Sequence, residues 1–467
     1  MQLRAGKRYR RKTISQMNET LKDSIISLLK REVVPATGCT EPVAVALATA
    51  RARELACISY NEIEAINCHL SGNIIKNAMG VGIPGTGMIG LPIAVALGAV
   101  IGKSELGLEA LSGVDADAVE IGKTLVDKNI IGITLAEDAP DMLYIDVTVE
   151  GNGHSGRAVI QASHCSFVLE ERDGTAIGEA KKAATSEEQC ECPELSMRIV
   201  WDFAMSTPLD EINFMLETRQ LNKAAAEWAL MDPYGHHVGR TLHSERQRKI
   251  MGDSTFSRIL SYTSAACDAR MGGAPVSVMS NSGSGNQGIA ATMPVVVYAE
   301  ENFASEEQTI RALTLSHLTA VYIKQSLGRL SALCGCVVAA TGSSAGLCYL
   351  MGGDYNQVAA TVKNMVANLT GMICDGAKPS CALKLSSGVA TAVVSAMVAM
   401  DGQSVGALEG IIDDDVDQTI RNLVKIGREG MTQTDRMILG IMTSKKYAVK
   451  KSHSRQTTLG RNGINSK

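Results

Sequence analysis

The chain has 467 residues, of which 45% are hydrophobic and 20% charged, a balance typical of a globular protein. Its length suggests two or three domains, and its formal net charge of −4 gives no electrostatic reason to expect nucleic acid as a partner. Its twelve cysteines follow a basic N-terminus without an apolar signal segment, which excludes a secreted disulfide scaffold and predicts reduced thiols in the cytoplasm.

Three uncharged stretches, at residues 77–102, 271–299 and 330–353, are each long enough to cross a bilayer. Prolines, glycines and polar runs interrupt them, which lipid would not accommodate, so we expect no membrane span. Glycine-rich polar loops with apolar flanks instead indicate a buried binding site, because glycine allows the backbone to approach a ligand closely.

The first predicted element is a disordered basic tail over residues 1–18. Apolar residues at helical spacing predict a helix over 19–32, which Pro35 ends. Residues 37–42 then have the composition of a turn into a second helix, because Thr and Pro favour the first positions of a helix. Ala and Leu continue that second helix to about residue 56.

The following segment, up to about residue 173, carries strand signals. Alternating apolar and polar side chains predict strands over 62–70, 143–149 and 157–169, with helical segments around 91–102 and 115–128 between them. The sequence therefore predicts a mixed α/β unit in this part of the chain.

Residues 174–195 are polar and are predicted to be a linker, whereas the pattern from about residue 196 is helical almost to residue 448. This order of elements predicts an α+β fold in which a mixed α/β segment precedes a mainly α-helical catalytic domain. The predicted division is a basic tail (1–18), an α+β domain (19–195), a helical catalytic domain (196–447) and a second disordered tail (448–467).

Four cysteines, Cys334, Cys336, Cys374 and Cys381, fall within 48 residues of the helical part. Thiolates are soft ligands that bind iron–sulfur clusters, and a loop with Gly and Pro between Cys374 and Cys381 allows two sulfurs to converge. Cys334 or Cys336 would supply a third sulfur. Three ligands on a four-iron cluster leave one iron open as a Lewis acid. Buried structural thiols are the alternative.

Cys39 differs from these cysteines because it lies at a predicted helix N-terminus. The helix dipole at this position lowers the pKa of a thiol, so Cys39 is a candidate base or nucleophile. A packed cysteine at a tight turn is the alternative.

The loop at residues 280–288 offers backbone N–H groups and small polar side chains that suit a carboxylate. Arg270, upstream of this loop, could pair with the same carboxylate or form an internal ion pair with Asp268. Lys76 could act as a Schiff-base lysine, but nothing else indicates pyridoxal phosphate. His317 lacks a ligand-like partner at helical spacing, which favours a structural role. The candidate substrate-binding residues are Arg270, Asn281, Ser282 and Asn286.

Several motifs follow one another along the chain without large gaps: PATGCTEP (35–42), SGNIIKN (71–77), PGTGM (84–88), GLP (90–92), DARMGG (268–273), MSNSGSGNQGI (279–289), LSALC (330–334) and GMICDGA (371–377). Together they resemble the L-cysteine desulfidase family, an uncharacterised group related to the α-domain of bacterial iron–sulfur L-serine dehydratases. The resemblance covers roughly residues 19–447 and is specific as a combination.

The resemblance implies an oxygen-sensitive [4Fe-4S] cluster with three cysteine ligands and one open iron, without pyridoxal phosphate. By motif, the ligands would be Cys334, Cys374 and Cys381. Cys336 stays open as the alternative third ligand, because the related dehydratases place their ligand in a Gly-Cys pair. Cys39 matches the cysteine proposed as the base in the family.

The predicted function is therefore the β-elimination of L-cysteine to hydrogen sulfide, ammonia and pyruvate by a cytoplasmic lyase. One alternative is an L-serine dehydratase with the same cluster, and another is a non-catalytic iron–sulfur redox sensor. The expected partner is a small amino-acid substrate, with no nucleic acid and no membrane, and a homo-oligomer is left open.

Overall fold

A computed structural model describes residues 18–178, 192–328 and 332–444. The predicted C-terminal tail and all of the N-terminal tail except Asn18 lie outside the described residues, as do residues 179–191 of the predicted linker. The first two residues of the motif at 330–334 also lie outside them.

The first part of the chain alternates helices and strands, as predicted. The helices predicted over 19–32, 91–102 and 115–128 are confirmed within two residues at each end. The elements in chain order are α1 (Glu19–Glu32), β1 (Pro35–Thr37), α2 (Thr40–Ala56), β2 (Ala65–Leu70), α3 (Gly72–Ala78), β3 (Gly82–Ile83), β4 (Met88–Ile89), α4 (Leu91–Val100), α5 (Ala116–Asp127), β5 (Ile131–Leu135), β6 (Tyr144–Gly151), β7 (His154–Gln161), β8 (Phe167–Arg172) and β9 (Thr175–Ala176).

Within the described residues, six of these strands form one mixed sheet in the order β5-β2-β6-β7-β8-β9. Strands β2 and β5 are parallel and the other neighbours are antiparallel. Alternate residues of β2, such as Ile66 and Leu70, are fully buried beneath α2 and α4. Gly156 of β7 lies against the carbonyl of Ala52 in α2, where a Cβ atom would collide, so this glycine allows helix and sheet to pack closely.

The strand predicted over 157–169 is two strands joined by a tight turn. Ala162 adopts a left-handed conformation with a φ of 67°, and the Gln161 N–H donates to the Ser166 carbonyl at 3.1 Å. The polar run from Ser163 to Ser166 accounts for the break, because these side chains suit a turn better than a buried strand.

The second part of the chain is helical, and its one described strand is only three residues long. Its elements are α6 (Met197–Ser206), α7 (Leu209–Ile212), α8 (Leu216–Met231), α9 (Val238–His243), α10 (Glu245–Met251), α11 (Thr255–Met271), β10 (Ser277–Met279), α12 (Gly285–Glu301), α13 (Glu306–Leu327), α14 (Gly335–Leu350), α15 (Tyr355–Leu369), α16 (Cys381–Met400), α17 (Val416–Lys425) and α18 (Thr432–Thr443). The fold is therefore α+β with a mainly helical C-terminal part.

Helix α14 is the centre of the helical part and packs against α12, α13, α15 and α16. Its residues from Cys336 to Cys348 are all buried. A Cβ atom at Gly342 would collide with the Ser316 carbonyl, so the missing side chain allows α13 to approach α14 closely. Helix α1 joins the same core through Ile25 and neighbouring leucines, although it precedes the α/β sheet in the chain.

The three uncharged stretches correspond to largely buried segments that include helices α4, α12 and α14. Among the described helices, α16 alone has the length and apolarity of a membrane span, and half of its apolar segment is buried inside the protein. A core helix meets the same criteria of length and composition, so α16 is weak evidence for a membrane.

Candidate active site

Strands β1 and β10 form a two-stranded antiparallel sheet that joins distant parts of the chain. The hydroxyls of Thr37 and Ser277, 240 residues apart, lie 2.7 Å from each other in this sheet. Because Cys39 follows β1 and the loop at 280–288 follows β10, the pairing places both beside one cavity.

This cavity has a volume of about 150 Å³. Ligand sites for drug-sized molecules are typically roughly 300–1,000 Å³, so the size favours a small substrate. It is lined by most of the residues singled out in the sequence, namely Cys39, Lys76, Arg270, Ser282, Asn286, Cys334, Cys336, Cys374 and Cys381.

Backbone pairing holds two of the cysteines next to each other. The Cys334 N–H donates to the Met372 carbonyl at 2.9 Å. In return, the Cys374 N–H donates to the Ala332 carbonyl at 2.6 Å. Cys381 is the first residue of α16 and comes from the same loop as Cys374. The three sulfurs predicted as ligands therefore line a single cavity, and all three are free thiols.

Cys334 and Cys336 both line the cavity, but their surroundings differ. The Cys336 thiol lowers the pKa of Cys334 by hydrogen bonding to it, and the ammonium groups of Lys384 and Lys378 act in the same direction. The pKa of Cys336 is raised by the same contact and by burial. Since thiolates are the form that binds metal, these surroundings favour Cys334 as a ligand.

The donor set fits a cluster better than a single metal ion. In the described part of the chain, no three His, Cys, Asp or Glu side chains converge closely enough to chelate one ion. A cluster holds each ligand sulfur on a different iron, so its cysteines surround a volume rather than a point. The soft sulfur atoms of the four clustered cysteines, which line one cavity, are compatible with such a group.

Cys39 lies at the N-terminus of α2, as predicted, and it is the N-cap residue there, but the expected lowering of its pKa is wrong. Burial raises the pKa of the Cys39 thiol to about 11, while the neighbouring Arg270 guanidinium opposes this rise. The side chain makes no capping hydrogen bond to the helix, so the dipole does not offset the loss of water. The thiol is therefore protonated at neutral pH.

Arg270 forms no ion pair with Asp268, so the interpretation that remains from the sequence is pairing of Arg270 with a substrate carboxylate. The Asp268 carboxylate turns away and accepts from the Gly239 N–H at 2.8 Å, near the start of α9. The Arg270 guanidinium donates to the Asn286 side chain and to the Gly38 carbonyl, both at 3.2 Å. No carboxylate among the described residues lies within 4 Å of it, although Arg270 is buried. A buried cation without a counter-ion favours binding of an anion.

Asn281 is the one predicted substrate residue that does not line the cavity. Its amide donates to the His317 carbonyl at 3.1 Å and lies 3.1 Å from His317 Nδ1, while its oxygen accepts from Ser282. His317 Nε2 lies 2.9 Å from the Thr292 hydroxyl, and burial lowers the pKa of His317 to about 3. Asn281 and the neutral His317 therefore do not line the cavity, and they stabilise the loop at residues 280–288 through buried hydrogen bonds.

Several polar lining residues were missed as candidates, among them Glu41, Gln287 and Lys324. Glu41 and Gln287 lie inside motifs already recognised, and their polarity within those motifs was the available signal. Lys324 is the one lysine of helix α13, and burial lowers its pKa to about 8. Lys76 is buried and pairs with Asp435 of α18 at 2.5 Å. The cavity thus combines several cations with one carboxylate from the described residues.

The chain is similar in sequence to one family profile and to several proteins of known sequence. The sequence profile described as serine dehydratase alpha chain matches residues 106–440, a segment that contains Arg270 and the four clustered cysteines but begins after Cys39. A UPF0597 protein of Bacteroides fragilis is 60% identical over 429 residues, covering 92% of this chain and all of the relative. UPF0597 proteins of Phocaeicola vulgatus and Shewanella pealeana are 60% and 44% identical, each over at least 91% of this chain and 98% of the relative.

Proposed function

Because the chain belongs to the serine dehydratase alpha chain family, we propose that it is an iron–sulfur lyase that eliminates the β-substituent of a small L-amino acid. L-Cysteine is the proposed substrate, and the products are hydrogen sulfide, ammonia and pyruvate. L-Serine is the second candidate, favoured by the description of the family. The proposed compartment is the cytoplasm.

The observation that carries this proposal is the composition of one cavity. The four clustered cysteines and Cys39 lie around the same small space as Arg270, a buried cation with no carboxylate partner within 4 Å in the described chain. A non-catalytic sensor needs sulfur ligands but has no need for an anion-binding pocket beside them. The combination therefore supports an enzyme acting on a small carboxylate-bearing substrate.

Cys334, Cys374 and Cys381 are the residues that would hold the proposed [4Fe-4S] cluster. When bound, this cluster supplies an open iron that acts as a Lewis acid toward the substrate. The lowered pKa of Cys334 favours the thiolate that ligation requires. Cys336 lies beside it as the alternative ligand and as a hydrogen-bond donor to its sulfur.

Arg270 and Cys39 have separate roles in the proposed elimination. The Arg270 guanidinium binds the substrate carboxylate and so fixes the Cα–H bond toward Cys39. The Cys39 thiolate takes the Cα proton, the C–H electron pair forms the Cα–Cβ double bond, and the Cβ–S bond breaks to release sulfide. Aminoacrylate leaves and is hydrolysed to pyruvate and ammonia. Burial makes the thiolate scarce but strongly basic, and Arg270 stabilises it.

An anaerobic assay of the reconstituted protein with L-cysteine and L-serine, run side by side, tests the proposal. We expect kcat/KM for pyruvate formation to be higher with L-cysteine than with L-serine. With L-cysteine, sulfide and pyruvate should form in equal amounts. A preference for L-serine would establish the second candidate. A brown preparation that binds iron and forms no pyruvate from either amino acid would favour the sensor and contradict the proposal.

A further inference from the structure

The cavity contains a carboxylate that the proposed elimination does not use. Glu41 is the second residue of α2 and lines the cavity two positions after Cys39. In the described part of the chain it forms no ion pair, and its one hydrogen bond there is accepted from the Thr40 hydroxyl at 3.3 Å. The carboxylate is thus available to a ligand.

Within the described residues, Glu41 forms no ion pair with the cations that line the cavity beside it, namely Lys76, Arg270 and Lys324. Lys76 pairs with Asp435. Arg270 is directed to the Asn286 side chain and the Gly38 carbonyl. A carboxylate and a buried guanidinium that line one small cavity without pairing present opposite charges to whatever binds between them. This arrangement is complementary to a zwitterion, which carries both charges within a few bonds.

We infer that Glu41 binds the α-ammonium group of the substrate while Arg270 binds its carboxylate. The substrate class is then the zwitterionic α-amino acids with a small β-substituent, and carboxylic or hydroxy acids of the same size bind more weakly. This inference rests on the proposed function for the identity of the site, and it adds how the site selects amino acids. Glu41 is in this view a specificity-determining residue.

The simpler role for Glu41 is stabilisation of the helix. An acidic side chain in the first turn interacts favourably with the positive end of the helix dipole. Asp117 occupies the same second position in α5, is exposed, and does not line the cavity. An Asp117→Asn variant therefore removes the equivalent helix contribution and leaves the cavity unchanged, so it is a matched control.

The test compares L-alanine with propionate, two unreactive ligands that differ only in the ammonium group. Calorimetry on the reconstituted holoprotein measures their binding under anaerobic conditions, independently of turnover. We expect the wild-type protein and Asp117→Asn to prefer L-alanine by about 10-fold or more, the range of a charge-assisted hydrogen bond. In Glu41→Gln, the affinity for L-alanine should fall to the level of the affinity for propionate. The affinity for propionate itself should differ from that of the wild-type protein by no more than about twofold. Glu41→Asp, which keeps the charge, should retain part of the preference.

Two results would overturn the inference. One is a Glu41→Gln variant that keeps the full preference for L-alanine. The other is an equal loss of both ligands, which would indicate a structural role for Glu41. Neither result bears on pyruvate formation by the wild-type protein, so a failure of the proposed function would be recognised separately. The affinity for propionate also reports whether each variant is folded.

Discussion

At the scale of single residues, two cysteines of the cavity differ because their surroundings differ. Cys334 accepts a hydrogen bond from Cys336 and lies in the field of lysine ammonium groups, so its pKa is lowered. Cys39 is buried without a hydrogen bond from its helix, so its pKa is raised. The first set of surroundings suits a ligand, and the second suits a group that must hold a proton after taking it.

Replacing Cys39 by serine tests its proposed role as the base. Serine has nearly the same shape, but its hydroxyl is a much weaker acid than a thiol in the same surroundings, so proton removal should fail without a packing defect. We expect Cys39→Ser to keep its iron and to lose at least about 10²-fold in kcat, the low end for a general base. Iron content and pyruvate formation, measured on one preparation, check this. Loss of iron would indicate a ligand, and near-normal activity would indicate a packing residue.

The two neighbouring cysteines at the start of α14 can be separated by their iron content. We expect Cys334→Ala to lose cluster iron and Cys336→Ala to retain most of it, because the surroundings favour the thiolate of Cys334. Analysis of iron and acid-labile sulfide in both variants decides between them. The reverse result would assign the third ligand to Cys336.

Asp268 gives a pH dependence of stability with a defined sign. Burial raises the pKa of its carboxyl from 3.8 to about 6, so the folded state binds this proton more tightly than the unfolded state. That contribution is full below pH 4 and is lost as the pH rises through 6. The wild-type protein should therefore lose unfolding free energy, on the order of 1 kcal/mol, as the pH rises from 5 to 7.5, and Asp268→Asn should not show this loss. Urea unfolding at both pH values measures it, and a difference independent of pH would contradict it.

At the scale of elements, the loop between β10 and α12 depends on a buried network in α12 and α13. His317 has both ring nitrogens near polar partners, Asn281 on one side and Thr292 on the other. The Thr292 hydroxyl donates to the Gly288 carbonyl at 2.7 Å, so it accepts from His317 Nε2. His317 Nδ1 then accepts from Asn281, and the neutral ring is held in one tautomer.

Replacing the His317 ring should destabilise the loop at residues 280–288 and leave the positions of the cavity cysteines unchanged. We expect His317→Leu to cost about 1–3 kcal/mol of unfolding free energy, because it leaves the buried Asn281 amide without one of its partners. Iron content should be unchanged, while the KM for the substrate rises. A double-mutant cycle with Asn281→Leu measures the coupling, and additive effects would show that the two side chains do not depend on each other.

The regular elements were largely predictable from sequence, because their signals are local. Helix α1 was predicted at about residues 19–32 and lies there, and α2 begins at the turn indicated by Thr40 and Pro42. The short strand β10 was not predicted, since three residues within a helical region give no pattern of their own. Its partner β1 is equally short and precedes all strands of the six-stranded sheet in the sequence. The pairing of β1 with β10 is therefore visible only in the folded structure.

The sequence identified most residues of the site but not the interactions that they form. The cysteines and Arg270 were identified by their chemistry and motifs, and they line one cavity. The ion pair of Lys76 with Asp435 joins residues 359 positions apart, and no sequence pattern specifies it. The pKa of Cys39 could not be inferred either, because burial overrides the helix position and is a property of the assembled core.

At the scale of the whole molecule, the cavity is built from widely separated parts of the chain. The turn after β1 contributes Cys39, the loop after β10 contributes Ser282, and the starts of α14 and α16 contribute three of the cysteines. Helix α18 approaches through Asp435, and Leu439 lies where a side chain at Gly72 would collide. The site therefore depends on the complete fold.

The proposed elimination requires an iron–sulfur cluster in this cavity. The most direct measurement is the visible spectrum and iron content of the anaerobically purified protein, followed during exposure to air together with pyruvate formation from L-cysteine. We expect broad absorption toward the blue end of the visible range, near four irons per chain for a [4Fe-4S] cluster, and parallel loss of colour and activity in air. A colourless, fully active protein with stoichiometric zinc would contradict the account.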